Sequence, residues 1–165
     1  MYLKKSRLPK WLLSLSLCMS IQSFSQTNTS LVTFRNPNTI AAPTGYSHLA
    51  EIDLGNSTML LISGQVALDG SGTLIGKNDL AKQTEQVFTN IKNILAASGG
   101  TMDHLVKTGI FMRDASQIQV FREIRNKFIN PKNPPASTLV EVSRLFRDDI
   151  LIEIEATAVI PKQKR

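Results

Sequence analysis

The stretch Pro134–Ile160, PPASTLVEVSRLFRDDILIEIEATAVI, decides how the rest of the chain reads. It holds two alternating runs joined by a short charged link. In the first, Leu139, Glu141 and Ser143 point one way while Val140 and Val142 point the other. In the second, Ile150, Ile152, Ile154, Ala156, Ala158 and Ile160 share one face, and Leu151, Glu153, Glu155, Thr157 and Val159 share the opposite one. Period-two alternation in β-branched residues is the strand signature. The expectation is a hairpin in a sheet covered on one side. Two carboxylates on one face of a central strand then have two readings. The face is either solvated, or roofed by another subunit and home to a working carboxylate.

Working outward, Leu31–Phe34 reads as a short strand ended by Asn36-Pro37-Asn38, and Pro43 and Gly45 mark a turn. Leu49–Leu54 and Ser57–Val66 read as strands joined at Gly55-Asn56. Gly64 inside the second marks a bulge or a close approach of backbone or ligand. Asn78 or Asp79 can cap a helix whose apolar stripe is Leu80, Thr84, Val87, Phe88, Ile91, Ile94 and Leu95. Gly99-Gly100 ends it. Leu105–Met112 alternates again, and Asp114 or Ser116 opens a second helix with Ile118, Phe121, Ile124, Arg125 and Phe128 in register. Strands, helix, strand, helix, strand, strand implies an α+β layer, a mixed sheet with two helices packed on one face.

The first residues read as an address. Lys4, Lys5, Arg7 and Lys10 precede an uncharged run from Trp11 to Ser25, and Ser23-Phe24-Ser25 is a small-x-small cleavage site. Residues 1–25 are therefore expected to be a signal peptide, too short in its apolar run to span a bilayer. Lipidation at Cys18 is disfavoured by the bulky Leu17 before it. The expected division is signal peptide 1–25, flexible segment 26–33, one domain over 34–160 and a basic tail over 161–165, in an exported, periplasmic or secreted protein with no membrane contact after cleavage.

Removing the address changes the charge. The chain has 19 Lys and Arg against 13 Asp and Glu. Four of the basic residues lie in residues 1–25 and three in the tail (Lys162, Lys164, Arg165), leaving 12 against 13 in the body. A nucleic-acid groove needs clustered cations on a folded surface, so no nucleic-acid partner is expected. The single cysteine falls in the address, which leaves no disulfide to add stability.

No P-loop, GxGxxG, CxxC or HExxH motif occurs, and no metal or organic cofactor is expected. His48 and His104 lie far apart and read as exposed loop residues. What remains is a pocket chemistry of one carboxylate, one phenol and backbone groups, with Glu153, Glu155, Glu141 and Tyr46 as candidates and the three carboxylates expected on one hydrophilic face.

Several short motifs agree with one family. Pro43-Thr44-Gly45-Tyr46-Ser47, Ser63-Gly64-Gln65, Gln86–Ile91, Val106-Lys107-Thr108, Pro135-Ala136 with Val140-Glu141-Val142, and Ile152–Ala156 resemble the Rid (reactive intermediate deaminase, YjgF) family, in order from about Phe34 to Ile160. The resemblance implies a chorismate-mutase-like fold, a homotrimer whose sheets form a central barrel, and small-molecule clefts between subunits. It further implies cofactor-free hydrolysis of 2-imino acids or their enamine tautomers to 2-oxo acids and ammonia. By position, Glu153 would activate the water and Tyr46 would line the cleft. Ser63, Gly64 and Gln65 would form its wall, and Leu139 would offer its carbonyl to the substrate nitrogen.

One position departs. Deaminases of the family carry an arginine after the Pro-Ala pair, where it grips the substrate carboxylate in a bidentate fork. Ser137 stands there in this chain. Losing such a pair costs roughly 2–5 kcal/mol of binding. Arg122, Arg144 and Arg147 are the candidates to replace it, each with a plain alternative as a solvated surface charge. Two readings of function follow: an imine or enamine hydrolase with an altered substrate, and a small-molecule-binding trimer without turnover.

Overall fold

The computed structural model describes residues 30–162, so the expected signal peptide and most of the tail lie outside the described residues. Six strands form one sheet: β1 (Val32–Arg35), β2 (Leu49–Asp53), β3 (Ser57–Gln65), β4 (Leu105–Met112), β5 (Ala136–Glu141) and β6 (Ile152–Pro161). Their order across the sheet is β1-β2-β3-β6-β4-β5. Only β4 and β5 run parallel, joined through helix α2 (Ile118–Arg125) as a parallel pair requires. Helix α1 (Leu80–Ala97) packs on β3 and β6 and against α2, so both helices cover one face. β1 begins at Val32, so the sheet starts two residues before the expected domain boundary.

β6 is central, paired with β3 on one side and β4 on the other. Ile152, Ile154, Ala156, Ala158 and Ile160 are buried under the helices, while Glu153, Glu155, Thr157 and Val159 turn to the open face. Each buried isoleucine contributes about 1.5–3 kcal/mol. The expected hairpin is corrected. β5 does not pair with β6: β4 lies between them. The link from Val142 to Leu151 is too long for a tight turn, and its backbone is held elsewhere. Arg113 donates to the Asp148 carbonyl at 2.6 Å, and Gln83 donates to the Asp149 carbonyl at 2.8 Å and accepts from the Leu151 N–H at 2.8 Å. Alternation identifies a strand, not its neighbour.

The helix boundaries follow their caps. Asp79 accepts from the Lys82 N–H, and Asn78 takes a left-handed backbone (φ 58°) rather than the capping role. At the far end the Gly100 N–H reaches the Leu95 carbonyl and the Gly99 N–H the Ala96 carbonyl, with Gly99 at φ 77°. This 6→1 and 5→2 pair closes the helix on glycine. Every residue of the expected α1 stripe is buried. Gln83 and Asn90 are buried beside it. Asn90 holds the Val66 and Leu68 carbonyls, tying α1 to the segment after β3.

Candidate functional site

The bulge in β3 builds the first half of the site. Register with β6 slips between Ile62 and Gln65, and the irregular turn is pinned by the segment before β2. The Ser63 N–H donates to the His48 carbonyl at 2.9 Å, and the Ser63 hydroxyl to the Ser47 carbonyl at 2.7 Å. Gly64 then faces Glu153. A Cβ there would collide with Glu153 Oε1 and stand 2.8 Å from its carboxyl carbon. The carboxylate thus lies across bare backbone. Glu155 repeats the arrangement on the other side of β6, where a Cβ at its register partner Gly109 would stand 2.7 Å from Oε1 and 2.8 Å from Cγ.

Burial pushes the Glu153 carboxyl above the usual carboxylate range, and the charge of Glu155 two residues on adds to it. The Tyr46 hydroxyl is also pushed up, first by burial and then by Glu153, so it stays protonated in neutral water. Tyr46 is positioned by His48, whose ring meets it edge-on with centroids 5.4 Å apart. The expectation of an exposed His48 is corrected: it is buried, at 5% exposure. Its Nε2 lies 2.7 Å from the Ala41 carbonyl and so carries the proton, leaving Nδ1 to face the Gln65 amide at 3.4 Å. The Gln65 side chain, also bonded to the Ser63 carbonyl, therefore supports the bulge from the buried face.

Tyr46, Ser63, Gly64 and Glu153 come together, and Gln65 backs them. Beside them a cavity of about 500 Å³ opens on the uncovered face, lined by Phe34, Tyr46, Leu61, Ser63, Lys107 and Glu155 among others. Ser137 and Leu139 are elsewhere. Ser137 is in register with Thr108, whose hydroxyl donates to its Oγ at 3.2 Å on the helix-covered side of the sheet. Leu139 packs toward the core on that side. Glu141 is there too, in register with the buried Met112, where it accepts the Ala115 N–H at 2.8 Å. Its expected place on one face with Glu153 and Glu155 is corrected. Strand alternation alone gives no common phase between two strands that are not neighbours.

Within one chain, then, Glu153 and Ser137 face opposite sides of the sheet. Ser137 lines a recess of about 20 Å³ with Thr108, Phe88, Phe121 and Arg125. Arg144 and Arg147 are not near it. They pair with Asp148 and Asp149 in the link before β6. Among the described residues no three His, Cys, Asp or Glu side chains converge.

Sequence reasoning missed His48 and Gly109. A glycine inside a strand pattern was the available signal for Gly109.

The family model described as Endoribonuclease L-PSP matches residues 36–160. A RutC family protein of Saccharolobus solfataricus is 41% identical over 101 residues, 61% of this chain and 78% of the relative. Two solved structures are close in fold. A conserved Rid family protein of unknown function from Yersinia pestis has a TM-score of 0.68 at 31% identity, covering 77% of this chain and 98% of that one. The YjgF gene product of E. coli has 0.66 at 33% identity, again covering 77% and 98%. With the family model spanning most of the sequence and solved relatives sharing the fold, the chain belongs to the Rid/YjgF family.

Proposed function

We propose that this protein hydrolyses a small imine or enamine to a carbonyl compound and ammonia, in clefts formed between copies of the chain. The observation that carries this reading is Glu153, a half-buried carboxylate of raised proton affinity seated over Gly64 beside the protonated Tyr46. A carboxylate with a raised pKa is a better general base than an ordinary one. Glu153 takes a proton from water as the water oxygen bonds to the imine carbon. The C=N electron pair moves to nitrogen, which is protonated in turn. Collapse of the carbinolamine expels ammonia and leaves the carbonyl. Tyr46 keeps its proton and can donate a hydrogen bond across the cleft.

Two copies are needed because Glu153 and Ser137 lie on opposite faces of their own sheet. A cleft using both takes one from each chain, and a trimer that closes the sheets into a barrel supplies such clefts. In that cleft edge strand β5 has backbone groups to spare on its outer side, which is the role expected of the Leu139 carbonyl.

The alternative, a trimer that binds a small molecule without turning it over, is favoured by Ser137 alone. The family description names an endoribonuclease, but the body of this chain, with 12 basic against 13 acidic residues, offers no cationic surplus for RNA.

A coupled assay that generates 2-iminopropanoate and 2-iminobutanoate tests the first reading. Ammonia release above the uncatalysed rate, lost in Glu153→Gln, supports it. Release no faster than the uncatalysed rate leaves the binder, and release that survives Glu153→Gln removes Glu153 from the mechanism. Export belongs to the same proposal: mass spectrometry of periplasmic material should show a chain beginning at Gln26, and a mature chain retaining Lys4 would refute it.

A further inference from the structure

We propose that His48 is a positioning residue for the site: as a neutral imidazole behind it, His48 fixes both the Tyr46 ring and the Ser63–Gly64 bulge on which Glu153 rests. Among the described residues it is the only ionisable side chain that is buried, and the chemistry of Glu153 and Tyr46 makes no use of it. Its main chain joins two segments. The His48 N–H donates to Asn36 Oδ1 at 2.8 Å, and its carbonyl accepts the Ser63 N–H at 2.9 Å. Its ring joins two more. Nε2 donates to the Ala41 carbonyl at 2.7 Å, and Nδ1 faces the Gln65 amide nitrogen at 3.4 Å. That amide is not free to turn over, because its Nε2 also donates to the Ser63 carbonyl at 3.0 Å and an oxygen there would meet an oxygen. Nδ1 must therefore accept, which fixes the neutral Nε2–H tautomer.

The ring thus reaches both halves of the site. On one side it meets Tyr46 edge-on, with centroids 5.4 Å apart and planes at 83°, an arrangement aromatic rings favour. On the other, Gln65 carries the constraint into the bulge. It bonds the carbonyl of Ser63, the residue before Gly64, whose bare backbone lies under the Glu153 carboxylate. Without an acceptor at Nδ1 a buried Gln65 donor loses a partner, and a buried donor left unpaired is costly enough to shift the chain around it. The groups facing the ring are Asn36 and Ala41 from the segment between β1 and β2, Gln65 from β3, and Tyr46 on its own segment. Among the described residues no carboxylate lies within 4.0 Å of His48, so the ring serves as a bonding and packing group rather than as half of an ion pair.

The positioning role rests on the imine-hydrolase reading only for its effect on turnover, since the seat of Glu153 can be read without a substrate. Carbon-13 NMR of the Glu153 carboxyl on the full chain reports how far the bulge still keeps water from it. His48→Gln keeps a donor for the Ala41 carbonyl and loses the acceptor facing Gln65, whereas His48→Asn keeps an acceptor near the Nδ1 position. The wild-type carboxyl should titrate above the ordinary carboxylate range. In His48→Gln and in Gln65→Met the titration should move back toward that range, and in His48→Asn it should stay. The double variant of His48→Gln and Gln65→Met should move it no further than either change alone, because both cut the same link. In His48→Gln, kcat for ammonia release should fall about tenfold or more with a smaller change in KM, and His48→Asn should recover part of it. In the wild type, nitrogen-15 shifts of the ring should show the Nε2–H tautomer, which needs no variant to fold. An Nδ1–H tautomer, a Glu153 titration unmoved in a folded His48→Gln protein, or additive shifts in the double variant overturns the role. A titration that moves as expected in a protein without turnover keeps the role and removes the hydrolase.

Discussion

The Glu153 carboxylate on β6 lies across the backbone of Gly64 on β3, in the space a side chain at Gly64 would fill. The pair locates the working end of the molecule. A carboxylate held against bare backbone is partly stripped of water, which raises its proton affinity, and the bulge at Gly64 is what brings the backbone under it.

Gly64→Ala should therefore disable the site without unfolding the protein. The atom a new methyl meets first is the end of a flexible side chain, and Gly64 does not need a left-handed backbone. Glu153 can swing away at a cost of about 1 kcal/mol or less, but it then leaves Tyr46. Ammonia release should fall at least as far as in Glu153→Gln while the melting temperature moves by only a few degrees. A variant that keeps full turnover would show that Glu153 need not sit there.

Glu153→Gln should stabilise the protein, and more so as pH rises. The folded protein holds the Glu153 proton to a higher pH than the unfolded chain does. Wild-type stability thus falls through the interval between the ordinary carboxylate value and the raised one. Below that interval both states are protonated and the penalty is absent. Glutamine never ionises. Because Glu153 is only half buried, solvent screening keeps the gain under about 1 kcal/mol. Paired thermal melts from pH 4 to neutrality would check the sign, and a gain that shrinks with rising pH would contradict it.

The open face of the sheet should be where copies meet. It carries the exposed Phe34, Leu61 and Val140 alongside its two carboxylates, more apolar surface than a solvated face needs. Sedimentation at micromolar concentration should give a trimer, and Leu61→Asp should give a folded monomer. A wild-type monomer would refute both the assembly and the shared cleft.

How much of this was legible in the sequence varies by the kind of pattern. The faces of β6 and the buried stripe of α1 follow from periodicity alone, since each residue's direction is set by its own strand or helix. Gly64 was legible as an anomaly inside an apolar strand. The partner of β5 was not, because alternation in Leu139–Val142 is equally satisfied beside β6 or beside β4. That error also placed Glu141 with Glu153. The buried roles of Gln83 and His48 were hidden for a related reason. Both are polar residues whose burial is compensated by long-range bonds, from Gln83 to the link before β6 and from His48 to Ala41 and Gln65. Such bonds leave no local trace.

The last prediction concerns Ser137, the position at which the two readings of function part. The resemblance places a carboxylate-gripping arginine there, and a serine hydroxyl cannot replace a charged fork. The wild-type protein should therefore be weak on 2-iminopropanoate and 2-iminobutanoate, and Ser137→Arg should raise ammonia release in the coupled assay. Adding Glu153→Gln to that variant should abolish the gain, because an amide cannot take the proton from water. An inert Ser137→Arg variant that still folds and keeps its assembly would favour the binder.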